Sequence, residues 1–155
     1  MAASYYGLPR TTVDVDFIVQ LSDEQLHPFL DRLAGFGLGV DRTRIKRRLR
    51  AGYNIVTLRD KASQNRVDFI IQTTGKMDRR PGRALGLKSF YQSPEALILA
   101  KLRMMKATYP QERSFKDRDD IRQILANTKI SRRKLLRLAE EQHTAKILKD
   151  TLEPS

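Results

Sequence analysis

Apolar and polar residues alternate from Thr12 to Gln20: Val13, Val15, Phe17 and Val19 take one set of positions, and Asp14 and Asp16 fall on the other. A period of two predicts a strand over 12–20, with the aspartates on the face opposite the valines and phenylalanine. Ser22-Asp23-Glu24-Gln25 then has the form of a capping box. Leu26, Phe29, Leu30 and Leu33 follow at helical spacing, with Pro28 expected to mark the first turn and Gly35, Gly37 and Gly39 to end the element. Residues 41–50 read as a short basic helix, with Arg42, Arg44, Lys46, Arg47, Arg48 and Arg50 around Ile45 and Leu49. Residues 53–58 and 66–72 read as a strand pair. In the second strand Val67, Phe69 and Ile71 share a face and Asp68 points the other way. This places a third carboxylate on a strand that can neighbour the first.

Residues 74–92 read as a long basic connection containing Gly75, Gly82 and Gly86, a length usually reserved for functional loops. The rest is helical. Ser93 and Pro94 start a helix over 94–108 that buries Leu97, Ile98, Leu102 and Met105, closed by Tyr109-Pro110. A helix over 116–127 buries Ile121, Ile124 and Leu125, and Ser131 caps a final amphipathic helix through Leu135, Leu138 and Ala139. Strands come first and helices later, so the expected class is α+β, a small mixed sheet flanked by helices with a helical C-terminal part. The expected organisation is one compact domain: residues 1–92 as the αβ core with its basic loop, and 93–155 as the helical part.

Composition narrows the function. A chain of 155 residues buries roughly 70% of its unfolded surface and needs no staples. It has no cysteine, which excludes disulfides and thiolate zinc sites. No apolar run approaches the roughly 20 residues of a membrane span, and the start lacks the apolar core of a signal peptide, so a soluble cytoplasmic protein is expected. A formal net charge of +12 favours a polyanionic partner such as nucleic acid, nucleotide or an acidic protein, while the low aromatic content, 7%, argues against a dedicated single-strand binding platform.

Two adjacent carboxylates on a strand repel unless a cation lies between them. A hard divalent ion, Mg2+ or Mn2+, accepts such oxygen ligands together with substrate phosphates; the alternative is a wet strand face. Lys101 falls on or beside the apolar stripe of its helix, and Asp117 and Asp120 share one face of theirs. Either these form a structural salt bridge, or an aspartate orients Lys101 toward a phosphate. His27 and His143 stand singly and read as surface or core-edge residues.

Three passages together resemble the nucleotidyltransferase superfamily that includes DNA polymerase beta, and more closely its minimal branch related to AbiEii-type and MenT toxins. Tyr6-Gly7-Leu8-Pro9-Arg10-Thr11-Thr12-Val13-Asp14-Val15-Asp16 is similar to the glycine, arginine and paired-aspartate signature. Arg66-Val67-Asp68-Phe69-Ile70 resembles the third-carboxylate strand. Residues 95–103 and 116–121 resemble the branch's lysine and aspartate helices. The resemblance implies a nucleotidyltransferase-like sheet and transfer of an NMP from an NTP to a hydroxyl of RNA, tRNA or protein, in a toxin that an antitoxin neutralises. It implies Asp14, Asp16 and Asp68 as metal ligands and, with Lys101, as catalytic residues. It implies Ser4, Gly7, Arg10, Thr12, Lys101, Asp117 and Asp120 around the nucleotide. The family's Gly-Gly or Gly-Ser pair, aligned on Gly7 and Asp14, would fall immediately before Met1. The alternative is therefore a catalytically impaired member that binds nucleotide or nucleic acid.

Overall fold

The alternation after Asp14 forms strand β1, Val15–Gln20. The computed structural model describes residues 5–6, 15–84, 86–107 and 112–153. Residues 12–14 of the expected strand lie outside them, as do Tyr109 and Pro110. Helix α1, Asp23–Gly35, starts at the capping box, where the Ser22 backbone N–H donates to Gln25 Oε1 at 3.0 Å. Pro28 does not mark the first turn; it sits inside the helix. A proline there forgoes one backbone hydrogen bond, which the packed helix tolerates because its apolar side is anchored by buried Leu30 and Leu33. The glycine segment does more than end α1: Leu38–Gly39 forms a short strand, β2. Asp41 caps α2, Arg42–Arg50, by accepting from the Arg44 N–H at 2.9 Å. Strands β3, Ile55–Asp60, and β4, Arg66–Gln72, complete a sheet of order β1-β4-β3-β2. β1 runs parallel to β4, while β3 is antiparallel to both β4 and β2. Leu30, Leu33 and Ile45 from the helices pack with Val56, Leu58, Phe69 and Ile71 from the sheet. Each such fully buried side chain stabilises by ~1.5–3 kcal/mol. The two helices thus cover one sheet face, and the carboxylates stand on the other.

The chain divides into two compact units. The one just described ends at Met77, and the other runs from Asp78 and includes Tyr5 and Tyr6. Part of the basic stretch expected as a connection is an antiparallel hairpin within the second unit: β5, Arg79–Ala84, and β6, Leu87–Gln92. Gly86, at φ 81°, supplies the left-handed residue of its turn. Helix α3, Pro94–Ala107, is capped by Ser93 Oγ, which accepts from the Ala96 N–H at 3.1 Å. Helix α4, Glu112–Asn127, follows. Ile98, Leu99, Leu102, Ile121, Ile124, Leu135, Ala139, Leu148 and Tyr6 form the core of this unit.

The expected final helix is two: α5, Arg132–Glu141, and α6, Ala145–Leu152. His143 breaks it at φ 55°. The Thr144 N–H reaches Ala139 O at 2.8 Å and the His143 N–H reaches Glu140 O at 3.0 Å, the paired bonds of a Schellman motif with histidine where glycine is usual. Left-handed backbone costs a non-glycine residue roughly 1–2 kcal/mol. His143→Gly is therefore expected to stabilise the protein by about 1 kcal/mol, read as a higher denaturant midpoint at unchanged slope.

Tyr6 supplies a pH signature. Its hydroxyl donates to Gln92 O at 2.7 Å. Burial pushes the phenol above its ordinary 10.0, opposed by the nearby Arg80 charge. A raised folded value means that stability from neutral Tyr6 is fully present below about pH 10 and is lost as pH rises through the folded pKa. Phenolate absorbance should show one tyrosine titrating late, and Tyr6→Phe should remove that late step.

Candidate functional site

The pleat fixes where the acidic side chains stand. Asp16 of β1 is the register partner of Asp68 of β4, and Asp68 in turn opposes Thr57 of β3. Neighbouring strands lie about 4.8 Å apart, so Asp16, Asp68 and Thr57 form one row across three strands. The next row on the same face is Ile18–Ile70–Ile55. On the other side of the carboxylates Arg66 opposes Arg59, two residues along and about 7 Å away.

Packing on the opposite face holds this register. Phe17 stacks on Phe69 with ring centroids 5.5 Å apart, and Phe29 of α1 meets Phe69 edge-on at 5.4 Å. A slip of one residue would turn every side chain to the wrong face. Phe17 is 47% exposed, because β1 is the outer strand of its sheet.

Asp16 is exposed and Asp68 is half-buried. Asp68 Oδ1 is buried and has no hydrogen-bond partner among the described residues. A buried acceptor left unpaired costs ~1–3 kcal/mol, more when charged. Two carboxylates side by side on a sheet add repulsion. A hard cation removes both costs, since carboxylate oxygens are the donors that Mg2+ takes. The residues present therefore fit such an ion. Among the described residues no group of three or more histidines or acids gathers to hold a metal, Asp14 lying outside them.

Lys101, Asp117 and Asp120 come together in the helical unit. Lys101 Nζ donates to Asp117 Oδ1 at 2.9 Å and to Asp120 Oδ2 at 2.5 Å. The side chains are 14%, 17% and 3% exposed. An ammonium has three donors, and the two aspartates take two. The i, i+3 spacing of the acids delivers both to one cation.

Ser4, Gly7, Arg10, Thr12 and Asp14 lie outside the described residues. His27 is exposed, its Nδ1 3.1 Å from Asp31 Oδ2. Asp31 also accepts from Arg42, and that hydrogen bond holds its carboxyl below the usual range. Neither Arg59 nor Arg66 is expected at the site from the sequence; their place beside the carboxylate row depends on strand pairing. Glu95, in the first turn of α3, is buried and faces Arg80 at 3.4 Å. No helix among the described residues is long and apolar enough to cross a membrane. No protein-family model matches the chain, and no curated protein matches it.

Proposed function

We propose that the chain is a metal-dependent nucleotidyltransferase with a DNA polymerase beta-like fold, which moves an NMP from an NTP to a hydroxyl acceptor. The observation that carries the reading is the in-register pair Asp16–Asp68 on parallel strands, with a buried, unpartnered Asp68 oxygen. In the reaction, the acceptor oxygen bonds to the α-phosphorus, the bond from that phosphorus to the pyrophosphate oxygen breaks, and the hydroxyl proton leaves to solvent.

Asp16 and Asp68, with Asp14, are the residues that would hold Mg2+ or Mn2+. When bound, the ion neutralises triphosphate charge and lowers the pKa of the acceptor hydroxyl. The strands supply rigid positions for the carboxylates, which phosphoryl transfer requires more than any covalent role. Arg59 and Arg66 offer positive charge to phosphates on the same face. The reading also gives Gly7, Arg10, Thr12 and Ser4 to the nucleotide, and Lys101, oriented by Asp117 and Asp120, to phosphate charge. RNA or tRNA suits the net charge as acceptor, and an antitoxin protein is the regulatory partner.

Incubation with each labelled NTP, Mg2+ and bulk tRNA tests this. Label transfer that disappears in Asp16→Ala supports the reading. Saturable NTP binding without transfer to any acceptor, or shortened RNA, contradicts it.

A further inference from the structure

The β5–β6 hairpin carries a charge pattern that the proposed chemistry does not use. No Asp or Glu occurs between Arg79 and Gln92, while Arg79, Arg80, Arg83 and Lys88 do. Register sorts them. Arg80, partner of Tyr91, lies on one face and meets Glu95. That face is closed further by Tyr5, which stacks on Tyr91 with centroids 4.0 Å apart; a Cβ on Gly82 would meet the Tyr91 ring at 2.8 Å. The other face holds Arg79, Pro81 and Arg83 from β5 with Lys88, Phe90 and Gln92 from β6.

This second face has features that folding alone does not favour. Arg83 and Lys88 stand directly opposite each other, a like-charge pair that destabilises a ladder. Phe90 is 58% exposed. The Arg79 guanidinium carbon lies over the Phe90 ring, 4.1 Å from its centroid, so the two side chains form one local stacking surface in a chain otherwise poor in aromatics. Arg79 and Arg83 are four residues apart, about 13 Å along the strand. Cations spread along a strand beside an aromatic–guanidinium platform suit a chain that offers phosphates at intervals and bases between them.

We infer that this hairpin face binds single-stranded RNA: Arg83 and Lys88 hold backbone phosphates, and a base stacks on the Arg79–Phe90 platform. The inference deepens the transfer reading by naming a surface for its acceptor, and it rests on that reading's choice of RNA. Charge complementarity selects the occupant. An acidic protein segment would satisfy the cations but has no group that needs the platform, and a duplex keeps its bases stacked away from it.

The test is fluorescence anisotropy of the full chain with a short labelled oligouridine whose 3′ hydroxyl is blocked, in the absence of NTP, across a salt series. Single-stranded RNA is expected to bind tighter than a duplex of equal length. Phe90→Ala should weaken binding about tenfold without lowering the melting temperature. Arg83→Ala with Lys88→Ala should reduce the slope of log affinity against log salt by about 1.4, since each single-strand phosphate contact contributes about 0.7. The double variant should melt close to wild type, because it removes a repulsive pair together with the exposed hydrogen bond that Arg83 Nη1 donates to Gly86 O at 3.2 Å. Hairpin variants that bind like wild type would overturn the inference. So would a loss seen only in Arg44→Ala with Arg47→Ala on α2, equal binding of duplex, or competition by polyglutamate that is unchanged in Phe90→Ala. Because the oligonucleotide accepts no nucleotide, RNA binding without transfer elsewhere sinks the catalytic reading alone, and transfer with unchanged hairpin variants sinks this one alone.

Discussion

Asp16→Ala is expected to lower nucleotide transfer by about 10^3-fold or more while leaving the fold nearly untouched. A factor of 10^3 is about 4 kcal/mol of barrier, well within what a bound divalent ion supplies at a phosphoryl group. Asp16 is exposed on the outer strand of its sheet, so its loss removes no core contact. Surface changes of this kind alter stability by no more than about 0.5 kcal/mol. Asp68 behaves differently. It is half-buried and carries the orphaned oxygen, so Asp68→Asn should abolish transfer to the same degree and yet raise stability without metal, by about 1 kcal/mol. A side chain whose replacement both kills activity and stabilises the fold is one retained for function. Parallel measurement of transfer rates and denaturant midpoints for the two variants checks both halves.

The second large effect is structural. Lys101→Met should destabilise the helical unit by about 3–5 kcal/mol, because it removes the cation that Asp117 and Asp120 share and leaves two mostly buried carboxylates side by side. That is a large fraction of the ~5–15 kcal/mol that holds a domain together. Adding Asp117→Asn to Lys101→Met should recover part of the loss, since one of the two facing charges is gone. Chemical denaturation of the four proteins of the cycle isolates the pair energy. Nucleotide affinity separates the roles of Lys101. If it acts on phosphate, Lys101→Met weakens NTP binding by more than the lost folded fraction accounts for; if the affinity of the folded fraction is unchanged, Lys101 serves the fold alone.

What the sequence made legible were features set within one element. The alternation of β1, the Ser22 and Ser93 caps and the helical stripes through Ile98, Leu102, Ile121 and Ile124 are local patterns with local causes. The hairpin escaped because Arg80, Gly82 and Ala84 alternate with Arg79, Pro81 and Arg83, which gives no apolar period to detect. The break at His143 escaped because neither glycine nor proline marks it. The parallel pairing of β1 with β4 was foreseen only as adjacency. Its register, and with it the row Asp16–Asp68–Thr57 and the flanking arginines, is set by Phe17, Phe69 and Phe29 packing across the far face, a contact between segments distant in sequence. At the candidate site, therefore, the carboxylates were readable from their alternation. Arg59 and Arg66 were not, since they become neighbours only when β3 and β4 pair.

The most direct measurement of the carboxylate row as a cation site is thermal melting of wild type and Asp68→Asn across a Mg2+ series, with ionic strength held constant. Ligand that binds only the folded state stabilises in proportion to the logarithm of its occupancy term. Wild type is expected to start lower than Asp68→Asn without metal and to climb saturably with Mg2+, while the variant stays level. A wild type indifferent to Mg2+, or a variant that climbs as much, contradicts a metal held between Asp16 and Asp68.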